Sequence, residues 1–350
     1  MNPFSYVAAT DAESAIHGLG AKVGAQTAFF IAGGTNLIDL MKQGVTHPTR
    51  LIDLNALPFT AIEPMDDGGL RLGALARNTE TAYHADVRRL FPMVSAALLS
   101  GASPQLRNMA SNGGNLLQRT RCSYFYDVAI ACNKRKPGSG CPAIGGLNRY
   151  HAILGASSQC IAVHPSDFCV ALAALGANVV VHSAGKERRV AFDEVHRLPG
   201  DTPEVDTNIA FDELIVAIEL PADAARFAAH SAYIKIRDRA SYAFALVSVA
   251  AGLDIGDDGR ITSACLALGG VSHKPWRIGA AEELLQGELP IDAAFERCAS
   301  RLLEGAVGQG KNDFKISMAH RAIMRALQTA TAGTRIDTAN PGRPDLGARE

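Results

Sequence analysis

The sequence predicts an α+β protein built from more than one structural unit, on three observations. Strand-like and helix-like segments alternate over roughly the first two thirds of the chain, and a strand–glycine turn–helix passage opens that region. Three strand-like segments then precede three helical ones, which is the order expected of a separate α+β domain. At 350 residues the chain also exceeds what a single hydrophobic core usually serves.

The elements follow in chain order. Thr10-Asp11-Ala12-Glu13 has capping-box spacing, with Ile16 and Leu19 at helical intervals behind it, so a short helix begins there. Ala28-Phe29-Phe30-Ile31-Ala32 is a buried-strand pattern that ends at Gly33-Gly34-Thr35-Asn36. Leu37, Ile38, Leu40 and Met41 continue as a helix closed by Gly44. Leu51 to Leu54 reads as a second strand. Between Phe59 and Leu75 two strands flank the hairpin signal Asp67-Gly68-Gly69, and Thr79-Glu80 opens a helical region. The apolar helix Phe91 to Leu99 leads into a Ser-, Asn- and Gly-rich passage, 101–115. Residues 118–162 lack periodicity and read as an insertion. Ser166 or Asp167 caps a helix through Leu172 and Leu175, followed by a strand from Asn178 to His182. Glu213 to Pro221 alternates like a strand, and 222–230 marks a domain boundary. Strands near 231–237, 246–255 and 261–270 precede helices near 279–286, 291–304 and 312–330. The last twenty residues, 331–350, have no apolar period and read as a mobile tail.

Composition narrows the function classes. With 34 Lys plus Arg against 35 Asp plus Glu, the net charge is -1, so no basic field attracts nucleic acid or an anionic membrane. The start, Met1-Asn2-Pro3-Phe4, is not a signal peptide, and the apolar runs are too short to span a bilayer.

Two Gly-rich segments carry the first chemical signal. Gly33-Gly34-Thr35-Asn36 stands between strand and helix, where a bare backbone and a helix N-terminus suit a pyrophosphate. Alone, a Gly-Gly pair after a strand is more often just a tight turn, and neither the G-x-G-x-x-G nor the Walker A spacing is present. Ser111-Asn112-Gly113-Gly114-Asn115 offers a second close-approach backbone, and two such loops suit a long dinucleotide.

Seven cysteines in a chain of this length, an odd number, argue against a secreted disulfide framework. Cys169, Cys265 and Cys298 lie in apolar periodic segments and read as small core residues. Cys122, Cys132, Cys141 and Cys160 fall in the irregular insertion with the spacing C-x9-C-x8-C-x18-C. Four thiolates on such a loop suit a [4Fe–4S] cube, with basic Lys134, Arg135 and Lys136 offsetting its charge. Zinc, which usually takes closer pairs, and four unligated thiols are the alternatives.

Motifs in series resemble one family. Ile31-Ala32-Gly33-Gly34-Thr35-Asn36-Leu37, Gly113-Gly114-Asn115-Leu116, His164-Pro165-Ser166-Asp167, and Leu268-Gly269-Gly270-Val271 before Pro275 and Arg277 resemble the FAD subunits of xanthine dehydrogenase-type molybdenum hydroxylases. Arg119 to Tyr126, the two cysteine-bearing pieces around 132–141, and Arg237 to Ala245 are similar to the FAD subunits of bacterial periplasmic aldehyde oxidoreductases.

The resemblance implies an FAD-binding domain of the vanillyl-alcohol-oxidase/PCMH type over 1–222, with subdomains 1–57 and 58–222. A C-terminal domain of the CO dehydrogenase flavoprotein type, a three-stranded antiparallel sheet with a helical bundle, would span 229–330. Ala32, Gly33, Gly34, Thr35, Asn36 and Leu37 would hold the FAD pyrophosphate. Ser111, Gly114, Asn115 and Asp167 would meet the ribityl and phosphate region. Ile215 and Lys235 would lie near the flavin ring, Lys235 as a cation beside N1 unless it is simply a solvated strand-edge lysine. His164 would stand beside the FAD loop, and neither it, His151 nor His273 is assigned a metal.

Cys122, Cys132, Cys141 and Cys160 would ligate the [4Fe–4S] cluster, and Cys169 would not. Substrate oxidation would belong to a large molybdenum-cofactor subunit, reached through a small subunit with two [2Fe–2S] clusters, so no catalytic residue is assigned here. This chain would pass electrons to FAD and an external acceptor. The resemblance further implies residence in the periplasm by export on a signal-bearing partner, with the cytoplasm as the alternative. A self-contained flavin oxidoreductase and a zinc-stabilised scaffold subunit are the competing functions.

Overall fold

The computed structural model describes residues 1–20, 27–183 and 185–334. Three sheets organise it. The first is parallel and three-stranded, in the order β1 (Ser5–Ala8), β3 (Arg50–Asp53), β2 (Ala28–Ile31). The helix Ala12–Leu19 starts one residue later than the sequence suggests. Asp11 caps it by accepting from the Ser14 amide at 2.7 Å, and the Ser14 hydroxyl answers the Asp11 amide, so the box runs Asp11 to Ser14.

The second sheet has five antiparallel strands: β4 (Ile62–Pro64), β5 (Leu70–Gly73), β8 (Leu214–Leu220), β6 (Asn178–Ser183) and β7 (Lys186–Ala191). The Asp67-Gly68-Gly69 turn joins β4 to β5, with Gly68 at φ +88° and the Asp67 carboxylate accepting from the Gly69 amide. The sequence pattern of β8 alternates, yet all seven of its residues are buried. It is the middle strand of five, covered on both faces, so no face is left for polar residues. The pairing of β6 with β8 slips between Val180 and Val181, a bulge opposite Ile215 and Ala217.

The third sheet is antiparallel, β11 (Ile261–Gly269), β10 (Val247–Ile255), β9 (Ser231–Ile236), and the helices Asp292–Leu302 and Phe314–Thr331 pack on it. The 3-10 stretch Ala222–Ala229 bridges from β8 to β9, at the boundary the sequence suggests. Arg277 ties the domains together by donating to Ala173 O at 2.8 Å while paired with Glu282. The expected tail begins ordered: Thr331 ends a helix, and Thr334 accepts from the Ser231 amide at 2.7 Å. The remainder, 335–350, lies outside the described residues.

The helix Asp167–Ala174 is buried along its whole length between the helix Pro92–Ser100 and strands β10 and β11. An apolar all-round helix of this kind can sit only in a core, and its N-terminal end therefore projects a fixed set of polar groups toward the site described next.

Candidate functional site

One cleft of about 1570 Å³ runs between the parallel sheet, the second sheet and the third. It is larger than the few hundred to about 1000 Å³ that serve drug-sized ligands, so it suits an extended one. All twelve residues assigned to the cofactor line it.

The two Gly-rich loops meet there. A Cβ on Gly33 would stand 1.9 Å from Met109 O, so only glycine permits the approach of the first loop to the segment leading into the second. Gly34 adopts φ +70°, a conformation that again favours glycine. Asn36 does not cap the helix Leu37–Lys42. Its Oδ1 accepts from the Arg119 amide at 2.8 Å, fastening the first loop to the start of the insertion.

Ser111 caps the short helix Asn112–Leu116, accepting from the Gly114 amide. Asn115 donates to Asn78 at 2.7 Å and accepts from the Ser166 hydroxyl at 2.6 Å. Ser166 in turn caps the helix Asp167–Ala174. The Gly113-Gly114-Asn115 and His164-Pro165-Ser166-Asp167 motifs are thus one hydrogen-bonded unit. Ile215, 6% exposed on β8, lies behind Gly113.

Lys235 lines the cleft and is not a solvated strand-edge lysine. It belongs to edge strand β9, but its side chain is 4% exposed and its ammonium meets Asp167 at 2.7 Å and Ser100 O at 3.1 Å. It is neither solvated nor an uncommitted cation. Asp167 also accepts from the Tyr233 hydroxyl at 2.7 Å. Burial, then the Asp167 charge, push the Tyr233 phenol well above its ordinary range, so it stays a donor.

Sequence reading passed over Arg107. It is buried on the cleft wall, donates to Gly101 O at 2.6 Å, and its Nε has no partner. Among the described residues no carboxylate pairs with it. A lone arginine in a Ser-, Asn- and Gly-rich passage was the available signal. Arg119 and Arg121, also on the cleft, are paired with Asp206 and Asp39.

The four insertion cysteines come together. Cys122, Cys132, Cys141 and Cys160 line a single internal cavity, although up to 38 positions separate them. Backbone amides are aimed at their sulfurs: Tyr124 and Phe125 at Cys122, Ala143, Ile144 and Ile161 at Cys141, and Ala162 at Cys160. Hydrogen bonding to Cys160, together with these amides, lowers the Cys141 thiol to about 6, whereas burial pushes Cys122 up to about 11.

The three basic residues between them differ in their contacts. Arg135 donates to the carbonyls of Tyr124, Phe125, Asp127 and Ile130 and so closes the loop, and Lys136 is exposed. Lys134 alone acts on a sulfur, Cys160, while buried and paired with Asp206.

Cys169 lies in the main core, its thiol pushed up to about 12 by burial. Among the described residues, it forms with His164 and His196 the one group of three potential ligands whose atoms all lie within 4.8 Å of one another. Both histidines turn Nε2 toward Leu116 O, at 3.4 and 2.9 Å, behind the second Gly-rich loop.

Residues 2–223 match the model of the FAD binding domain in molybdopterin dehydrogenase, and 232–330 that of the CO dehydrogenase flavoprotein C-terminal domain. The aldehyde oxidoreductase FAD-binding subunit PaoB of Escherichia coli K12 is 50% identical over 305 residues, covering 87% of this chain and 91% of that one. The glyceraldehyde dehydrogenase medium chain of Sulfolobus acidocaldarius is 26% identical over 85% of this chain and 86% of its own. Among solved structures, CO dehydrogenase from Oligotropha carboxidovorans superposes with a TM-score of 0.73 at 22% identity. It covers 95% of this chain and all of that one, and shows a shared fold.

Proposed function

The chain belongs to the FAD-binding subunits of the molybdenum hydroxylase family, and from that premise we propose that it serves an aldehyde oxidoreductase as the subunit that carries FAD together with a [4Fe–4S] cluster. The aldehyde reading rests on a relative that is half identical across nine tenths of its length. Bound FAD supplies an acceptor for electron pairs that can be passed on singly.

The chain's own residues bind and orient. The backbone from Ala32 to Leu37 receives the pyrophosphate, and the Ser111, Gly114 and Asn115 unit, braced by Ser166, presents amides beside it. Arg107, whose Nε has no partner, is a cationic donor on the cleft wall available to the same ligand. Lys235 and Asp167 fix one another on the wall and exclude water, with Ile215 forming the apolar surface behind Gly113.

The donor set fits the cluster. Four thiols surround one cavity, and amide N–H groups already point at three of the sulfurs, as an anionic iron–sulfur centre requires. Zinc sites usually take cysteines in closer pairs along the sequence than the C-x9-C-x8-C-x18-C spacing found here. This supports the cluster over the zinc scaffold.

Substrate oxidation then belongs to a large molybdenum-cofactor subunit, with a small subunit bearing two [2Fe–2S] clusters between it and this chain. The whole would be exported to the periplasm on a partner's signal. Assaying the purified chain alone and with its partners tests the division of labour. Aldehyde oxidation is expected only in the complex, and oxidation by the isolated chain would favour a self-contained flavin enzyme. Recovery of the complex only from the cytosol would refute the export.

A further inference from the structure

Thr120, Cys122 and His151 line both the cysteine cavity and the long cleft, so the wall between them is as thin as these side chains. On that wall His151 Nε2 lies 3.1 Å from Cys122 Sγ. We infer that His151 donates an N–H···S hydrogen bond to Cys122 and thereby raises the reduction potential of the cluster. This rests on the cluster reading above.

The ring is held where it is by unusual backbone anchoring. The His151 carbonyl accepts from Asn312 Nδ2 at 3.0 Å and from the fully buried Lys315 Nζ at 2.8 Å, both contributed by the C-terminal domain. Lys315 also reaches Gly270 O, and the neighbouring Ala152 amide donates to Ile161 O, next to Cys160. Asn148, three residues before, donates to Gln309 O and accepts from the Lys311 amide. The C-terminal domain thus clamps one short segment of the insertion, and that segment carries His151.

The tautomer follows from the partners. Nδ1 has none, and once Cys122 ligates the cluster its sulfur is a thiolate that can only accept, so the bonded form carries its proton on Nε2. A donor to a ligating sulfur stabilises the reduced cluster, which holds one more negative charge, more than the oxidised one. His151 is therefore a positioning residue: it acts through the ligand, and it ties the potential of the cluster to the seating of the C-terminal domain.

The test uses the full-length protein purified with its partner subunits. Iron and acid-labile sulfide are counted first, because a wild type without about four of each beyond those of its partner subunits sinks the cluster reading itself, whatever His151 does. With the cluster present, an EPR-monitored redox titration of His151→Leu, which keeps the bulk and removes the donor, is expected to show a lower midpoint potential. His151→Gln, whose amide nitrogen can occupy the place of Nε2, is expected to restore most of it. An unchanged potential in His151→Leu, or an equal drop in both variants, overturns the inference. If the Leu variant does not hold iron, the wild type decides: after labelling with 15N-histidine, pulsed EPR of the reduced cluster should show a histidine nitrogen coupling. Its absence overturns the inference as well.

Discussion

Replacing Lys235 by Met removes the cation from a pair whose side chains are 4% and 7% exposed and 2.7 Å apart. The Asp167 carboxylate would keep only the Tyr233 hydroxyl. A buried charge deprived of its partner costs about 3–5 kcal/mol, and that is the expected loss for Lys235→Met. The double variant Lys235→Met/Asp167→Asn removes both charges and leaves an amide oxygen in place of the carboxylate to accept from Tyr233. Asp167 is the first residue of its helix, so neutralising it forfeits about 0.3–1 kcal/mol of interaction with the helix N-terminus. The double variant should therefore lie within about 1–2 kcal/mol of the wild type. Guanidinium unfolding followed by far-ultraviolet circular dichroism measures the wild type, Lys235→Met, Asp167→Asn and the double variant. A double variant as unstable as the sum of the singles would refute the claim that the cost is an orphaned charge.

Gly33→Ala should weaken FAD binding by at least about tenfold, or about 1.4 kcal/mol, because its Cβ would stand 1.9 Å from Met109 O and force the two loops apart. Fluorescence titration of flavin into the stripped protein measures this, and an unaltered affinity would show that the loops need not touch. His273 is buried, with neither ring nitrogen partnered, and burial depresses it from 6.5 to about 3. The unfolded chain takes that proton near pH 6.5 and the folded one only near 3. Stability is thus intact above about 6.5 and falls as pH drops toward 3, by on the order of 5 kcal/mol at roughly 1.4 kcal/mol per pH unit. His273→Asn should flatten the fall of the unfolding midpoint between about pH 7 and about pH 4, and an unchanged slope would refute the assignment. Serine at Cys122, Cys132, Cys141 or Cys160 should each abolish the iron signal, whereas Cys169→Ser should keep it, and the reverse at any one position would redraw the ligand set.

Much of this architecture was legible because periodicity and turn chemistry agree locally. Gly33-Gly34 between apolar segments, Asp67-Gly68-Gly69, and Ser166 before a buried helix each specify one local conformation. β1 was not legible, since Ser5–Ala8 is fully exposed and carries no apolar alternation, and β7, Lys-Glu-Arg-Arg-Val-Ala, buries only Val190. Both are edge strands, which pair through backbone groups that leave no side-chain signature.

In the site, the glycine loops and four cysteines could be named from sequence, but the commitments of charged groups could not. Lys235 with Asp167, Lys134 with Asp206, and Arg135 with four carbonyls are pairings that depend on the folded chain. Arg107 was missed because its role is defined by what it lacks, a partner at Nε.

The central claim is that one chain carries both FAD and a four-iron cluster, and cofactor content tests it most directly. Acid precipitation of the purified protein should release one FAD per chain, and the same preparation should contain about four irons and four acid-labile sulfides beyond those of its partners. One zinc per chain with no flavin would contradict the account.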